Sequence, residues 1–344
     1  MAEAPLIPAR AAPPRPRQGG LSWRSPALRG WIYQALLLVT VAFVGWLLLS
    51  NTLENMRLRG IRGGFDFLRD PAGFDIGESW LQYESNQPYW RAFLVGLVNT
   101  LRVALAGIVL ATLLGTLLGI GRFSRNALLR GLCSAYVECF RNIPLLLQLL
   151  MWYLLLTEYL PLAAEALRLG DWIFLSKSGL SFPIPSWDGG LHWQVPRLGE
   201  FQVEGGGALT PEFLALLLGL VFYTSAFIAE IVRAGIASVP RAQHEAAASL
   251  GLSRWRTLRL VTLPQAMRLV IPPMTNQYLN LSKNSSLAVA VGYPELVSIA
   301  NTSLNQTGRA VECITIIMAV YLCLSLATAA LMNVFNRRMR LKER

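Results

Sequence analysis

Charge is scarce in this chain. Only 15% of its 344 residues are Asp, Glu, Lys or Arg, while 53% are apolar. A soluble domain carries about a quarter charged residues, so an ordinary soluble fold is excluded. Histidine is nearly missing: His192 and His244 lie far apart, and no metal site is expected. The four cysteines, Cys133, Cys139, Cys313 and Cys323, have no C-x-x-C spacing and fall in apolar segments. They read as small buried hydrophobes. No G-x-x-x-x-G-K-[ST] run occurs, so the chain is not expected to bind ATP through a phosphate loop. The apolar blocks lack the clustered His, Asp or Cys of a membrane enzyme.

The apolar residues are gathered into blocks, and about 20 such residues cross a bilayer as a helix. Six blocks qualify: 31–50, 91–121, 132–157, 211–237, 266–291 and 311–336. The first has the length of a retained anchor and lacks a small-x-small cleavage site before Glu54. The net charge of +11 is distributed by connection. The N-terminal tail, the 122–130 loop, the 233–268 segment and the C-terminal tail hold 19 basic residues; the alternate connections hold eight. That alternation is the positive-inside pattern. It places both termini in the cytoplasm and accounts for the basic balance without nucleic acid.

Residues 1–30 form a Pro-, Ala- and Arg-rich tail that cannot build a core and reads as disordered. A second basic tail covers 337–344. Two long external connections, 51–90 and about 158–210, show no clear element. They read either as surfaces for an external partner or as solvated loops.

The connection 238–264 carries the strongest signal. Ser238 reads as an N-cap and Pro240 as a first-turn residue. Ala242–Leu250 favours helix, Gly251 sits where a left-handed cap ends one, and Ser253 caps a second short helix that Pro264 stops. The product is a compact helix–turn–helix with small alanine faces; an interfacial amphipathic hairpin is the plain alternative. The residues are also specific. Glu245-Ala246-Ala247, three residues, Gly251, nine residues, then Val261-Thr262-Leu263-Pro264 resembles the E-A-A loop of ABC importer permeases, with Val in place of the usual Ile.

The resemblance implies an all-α integral membrane protein with the type I ABC importer transmembrane fold. It would have about six transmembrane helices and a cytoplasmic coupling loop, in the bacterial inner membrane. Residues 91–336 would be the transmembrane domain and 31–50 an additional N-terminal helix. Glu245, Ala246, Ala247, Gly251, Leu263 and Pro264 would dock on a separate ATPase, which alone uses ATP and Mg; this chain would be non-catalytic and hold no cofactor. Val95–Leu101, Phe140–Gln148, Ala226–Gly235 and Ser282–Ala288 resemble the polar amino-acid branch of these permeases, and the layout resembles the general L-amino-acid permeases of Gram-negative bacteria. The implied partners are ATPase subunits, a second permease or second copy, a periplasmic amino-acid-binding protein, the bilayer and an L-amino-acid substrate.

Polar groups inside a span face a cavity or another helix. Gln277, Asn280, Lys283, Asn284, Ser285 and Ser286, with Asn99 and Thr100 opposite, are candidates for the substrate path, with Lys283 meeting a carboxylate. Interhelical bonding or a helix break is the alternative. Glu230 and Arg233, three apart on one helix face, read as a structural pair. Arg141 and Asn142 read as an interfacial anchor or part of an inner gate. Gly115, Gly119 and Gly121 read as small-residue packing against a second permease. A secondary transporter or channel is the main rival; it would need no E-A-A spacing, and no inverted repeat is evident.

Overall fold

The computed structural model describes residues 26–58, 60, 63–187, 192–199 and 203–339. The expected disordered tail before residue 26, part of the insertion and the last five residues lie outside that range. The described residues up to Gly60 and those from Gly63 onward fall into two compact units. In the first, α1 (Pro26–Leu58) is apolar around its circumference, with Trp31, Leu36, Val39 and Trp46 all exposed. Such a helix needs an apolar solvent.

The second unit contains α2 (Tyr89–Gly121), α3 (Ala127–Asn142), α4 (Leu145–Leu154), α5 (Pro211–Ala237), α6 (Arg241–Ser249), α7 (Arg254–Thr257), α8 (Leu263–Asn284), α9 (Leu296–Thr307) and α10 (Ala310–Met339). Among the described residues, four helices are long and apolar enough to cross a membrane: Leu28–Leu58, Tyr89–Gly121, Pro211–Ala237 and Ala310–Arg337. The expected straight block at 132–157 is instead two helices bent by 104°. Pro144 causes the break: Ile143 before it is extended (φ −94°, ψ 128°), as a pre-proline residue prefers. Counted as one, the bent pair is a fifth span. The remaining block, 266–291, begins with α8, which contains Pro272 and Pro273 and a run of amides and hydroxyls, too polar to qualify by apolarity.

The main core joins α2, α4, α5, α8 and the tight turn Ser285–Val291 through Val103, Leu149, Leu216, Ile228 and Leu281. Gly115 and Gly119 set the distance between α2 and α5. A Cβ on Gly115 would lie 2.7 Å from Ile228 Cβ and from the Ser225 carbonyl oxygen; one on Gly119 would lie 2.8 Å from the Ala229 carbonyl oxygen. Gly121 faces Cys133 in α3. These three glycines therefore pack against their own chain, not against a second subunit. Cys133 and Cys313 are buried as expected, but Cys139 and Cys323 are exposed.

The first long connection is not a bare loop. Residues 63–88 fold back on α2, α9 and α10, burying Phe67 and Ala72 with Phe93, Leu296 and Ile299. Its base is closed by Ala72 N to Gln87 O (2.8 Å) and Gly73 N to Ser85 O (2.8 Å). Its tip brings Glu78 onto Arg102 of α2, side chains 10% and 9% exposed. Thr210, the N-cap of α5, donates to the same carboxylate at 2.5 Å. The Arg102 guanidinium lies over the Phe213 ring (4.3 Å) and over the Trp80 ring (4.7 Å).

The second connection departs from the all-α expectation. It holds β1 (Leu167–Leu169), β2 (Ile173–Ser176), β3 (Gly179–Phe182), β4 (Ile184–Ser186), β5 (His192–Gln194), β6 (Arg197–Leu198), β7 (Val203–Glu204) and β8 (Gly207–Leu209). They form antiparallel sheets ordered β1-β2-β3-β8, β4-β5 and β6-β7. Each strand is two to four residues long, too short for periodicity to reveal.

Replacing Gly119 with Val should lower stability by about 1–3 kcal/mol through overpacking, read as a lower thermal midpoint of the purified protein. Glu78→Ala leaves Arg102 buried and unpaired and should cost about 3–5 kcal/mol, while Glu78→Ala combined with Arg102→Met should recover most of that loss.

Candidate functional site

The 238–264 loop folds as two short helices, with revised boundaries. Ser238 is not an N-cap; it closes α5, its hydroxyl donating to the Gly235 carbonyl at 2.7 Å. Pro240 occupies the cap position of α6. Gly251 has φ +72°. Leu252 N donates to Ala247 O at 3.1 Å and Gly251 N to Ala248 O at 2.9 Å, the bond pair of a Schellman ending. Ser253 caps α7 through Arg256 N at 3.5 Å. Pro264 does not stop that helix. A π-turn at Leu258–Thr262 carries the chain into α8, where proline sits in the first turn and has no N–H bond to lose.

This loop presents a surface. Glu245, Ala246 and Gly251 are exposed, as are Leu250 and Trp255. Ala247 is buried and holds α6 on its own chain. Leu263 is exposed and Pro264 half-buried. Exposed large apolar groups on so short a segment form a patch of the kind that marks an interaction site.

The polar residues of α8 fall into two groups. Asn276, Asn280 and Lys283 are exposed, with Gln277 and Asn284 half-buried beside them. Their spacing places them on one stripe of the helix. Tyr278 and Leu281 face inward: Tyr278 Oη is 2.9 Å from Thr112 Oγ1 on α2, and Leu281 is in the core. Ser286 is half-buried and donates to the Lys283 carbonyl at 2.8 Å. Ser285 is fully buried and donates to Ser282 O at 2.8 Å.

Asn99 and Thr100 were expected opposite this stripe on a shared path, but both are fully buried in the chain's own packing. Asn99 Nδ2 donates to Glu78 O (2.8 Å) and Pro294 O (2.9 Å). Thr100 Oγ1 donates to Gly96 O at 2.9 Å and accepts from Leu296 N at 3.1 Å. They tie α2 to the 63–88 connection and to the start of α9. Gln148 does similar work at the helix break, donating to Phe140 O and Ile143 O at 2.9 Å each; the first lacks the N–H that Pro144 cannot supply, and the second belongs to the extended Ile143 between the two helices.

Glu230 accepts from Arg233 Nε at 3.1 Å and from Arg122 Nη1 at 2.5 Å. The expected pair is therefore a triad that also ties α5 to the end of α2. The exposed Arg141 lies over the Phe227 ring at 5.3 Å, and Asn142 donates to Glu138 O at 2.7 Å at the end of α3. Sequence reasoning missed Glu78, Arg102 and Glu295. The last is fully buried, accepting from Ser298 N (2.9 Å) and Tyr321 Oη (3.1 Å). Arg102 carried a readable signal, a lone charge within an apolar block. Glu78 and Glu295 lay in connections where acids are ordinary.

Residues 92–341 match the family described as binding-protein-dependent transport system inner membrane component. The chain is 44% identical to the putative amino-acid ABC transporter permease protein YhdX of Escherichia coli, over 95% of this chain and 98% of that one. It is 42% identical to the general L-amino acid transport system permease protein AapQ of Rhizobium johnstonii, over 94% and 96%. Among solved structures, it resembles the one described as an amino acid ABC transporter with histidines. That likeness has a TM-score of 0.54 and 27% identity, covering 73% of this chain and 95% of that one. With the family match spanning most of the sequence and these relatives aligned nearly end to end, the chain belongs to the binding-protein-dependent transport system inner membrane components, the permease subunits of ABC importers.

Proposed function

We propose that this chain is the membrane subunit through which L-amino acids cross the inner membrane, driven by ATP hydrolysis in a separate ATPase and supplied by a periplasmic amino-acid-binding protein. The observation that carries the reading is the exposed, Schellman-capped helix pair at 241–257 with its Glu245-Ala246-Ala247 and Gly251 spacing. Its small residues let another surface approach closely, and its exposed Leu250 and Trp255 give that surface something to bury. The names of the relatives support amino acids as cargo.

In this reading both termini and the 241–257 helices are cytoplasmic, following the basic residues, and α8 crosses the membrane as well, completing six spans. Its 22 residues reach roughly 33 Å, enough to cross. Its polar stripe is tolerated in the membrane because it faces a path shared with a second, homologous permease. Lys283 meets the substrate carboxylate; Gln277, Asn280, Asn284 and Ser286 accompany it. Asn99, Thr100 and Ser285 hold the helices that frame the path. Arg141 and Asn142 stand at its inner end, while Glu230 and Arg233 brace α5.

Two measurements test this. Gly251→Val places a β-branched residue at φ +72°, which such residues avoid; uptake and substrate-stimulated ATP hydrolysis should be lost at normal membrane abundance, and retained ATP-driven uptake would refute the coupling role. Lys283→Ala with Asn284→Ala should reduce amino-acid uptake by roughly tenfold or more, the scale of one lost charge-assisted hydrogen bond, and unchanged uptake would remove these residues from the path.

A further inference from the structure

The sheet between α4 and α5 has an apolar face that is covered at one end only. Directly paired residues of antiparallel strands point to the same side. The register Leu167↔Leu175, Leu169↔Ile173, Leu175↔Leu180 and Leu180↔Leu209 therefore gathers six aliphatic side chains on one face. The opposite face carries Arg168, Phe174, Ser181 and Ala208. Of the six, none is buried. The face begins on the membrane helices, where Leu209 packs against their core, and ends in the open, where Leu167 is 55% and Leu169 73% exposed.

The surroundings of the open end share this chemistry. Trp172, in the turn between β1 and β2, is exposed, and with Pro183, Trp193 and Val195 it lines an apolar groove of about 360 Å³. The chain entering the sheet adds open apolar groups, Leu154 and Leu155 at the α4 end, then Tyr159 and Leu162, with Glu158 and Glu165 exposed among them. Lys177 N donates to Pro161 O at 2.9 Å, holding the β2–β3 hairpin against that entering segment.

We propose that this face is a membrane-contact surface, resting on the headgroup zone of the bilayer beside the helices with Leu167, Leu169 and Trp172 in lipid. Continuity argues for it. One face seats on the membrane helices at Leu209 and overhangs whatever surrounds them at β1, and the chain runs from the end of α4 at Leu154 to β1 at Leu167. Trp and Tyr are the residues that settle at a membrane interface, ring in the apolar layer and polar edge toward water. In water, an edge strand bearing two open leucines beside an open tryptophan invites aggregation; lipid removes that liability. The insertion then lies flat on the bilayer, with Arg168 and Ala208 directed away from it.

The inference rests on the membrane reading of the helices but not on the substrate. The test uses the assembled transporter in nanodiscs, with exposed Cys139 and Cys323 replaced by Ser and a nitroxide placed at Leu169→Cys or, on the opposite face, at Ala208→Cys. Collision rates with oxygen, which concentrates in lipid, and with a neutral nickel chelate, which stays in water, are compared. The Leu169 label should favour oxygen severalfold over nickel relative to the Ala208 label, with no change when the binding protein is added. Equal nickel access at the two positions would overturn the proposal. So would exclusion of both reagents from Leu169, whether permanent, as beneath a second permease, or appearing only with the binding protein. A label at Leu36→Cys in α1 reports bilayer insertion independently, and ATP-driven uptake by the same preparations reports function.

Discussion

Backbone contact between α2 and α5 constrains the whole helical unit. It exists because Gly115 and Gly119 offer no side chain where Ser225, Ile228 and Ala229 come across. Apolar attraction is weak between helices already in apolar solvent, so close packing and polar ties must do the joining. This pair has ties at both ends: Arg122 meets Glu230 at one, and Arg102, Glu78 and Thr210 meet at the other. Neither tie is local in sequence. Glu78 arrives from a connection that precedes α2, so the fold of residues 63–88 is part of what holds the spans.

A second rule sorts the polar groups. Those that are fully buried, Asn99, Thr100, Ser285 and Glu295, engage neighbours in the same chain. Those on the outer stripe of α8, Asn276, Asn280 and Lys283, are open. If α8 spans the membrane as proposed, a bilayer would penalise the open set by several kcal/mol in all where it faced lipid, which is why the proposal gives that stripe an aqueous path or another subunit.

The sequence was most readable where local chemistry dictates local shape. Gly251 and Ser253 announced the turn and second helix of the 238–264 loop, and the long apolar runs announced α1, α2, α5 and α10. It was least readable where long-range packing decides. Ser238 looked like a helix start because its side chain suits either end, and only the continuation of α5 assigns it. Pro264 looked like a stop because a π-turn ahead of it leaves no trace in residue type. Asn99 looked like a pathway residue because an amide in a span signals a polar neighbour without saying which one. Pro144 did carry the break in the 132–157 block, but a single proline inside so apolar a run is easily read through.

The central claim is that movement through this chain is driven by an ATPase seated on the 241–257 helices. It is tested most directly by uptake of a labelled L-amino acid into proteoliposomes holding the assembled transporter, with ATP inside and the binding protein outside. The account predicts uptake that vanishes when the ATPase is omitted or unable to hydrolyse ATP and persists when ion gradients are collapsed. Uptake that survives without the ATPase and dies with the gradients would contradict it and make the chain a secondary transporter.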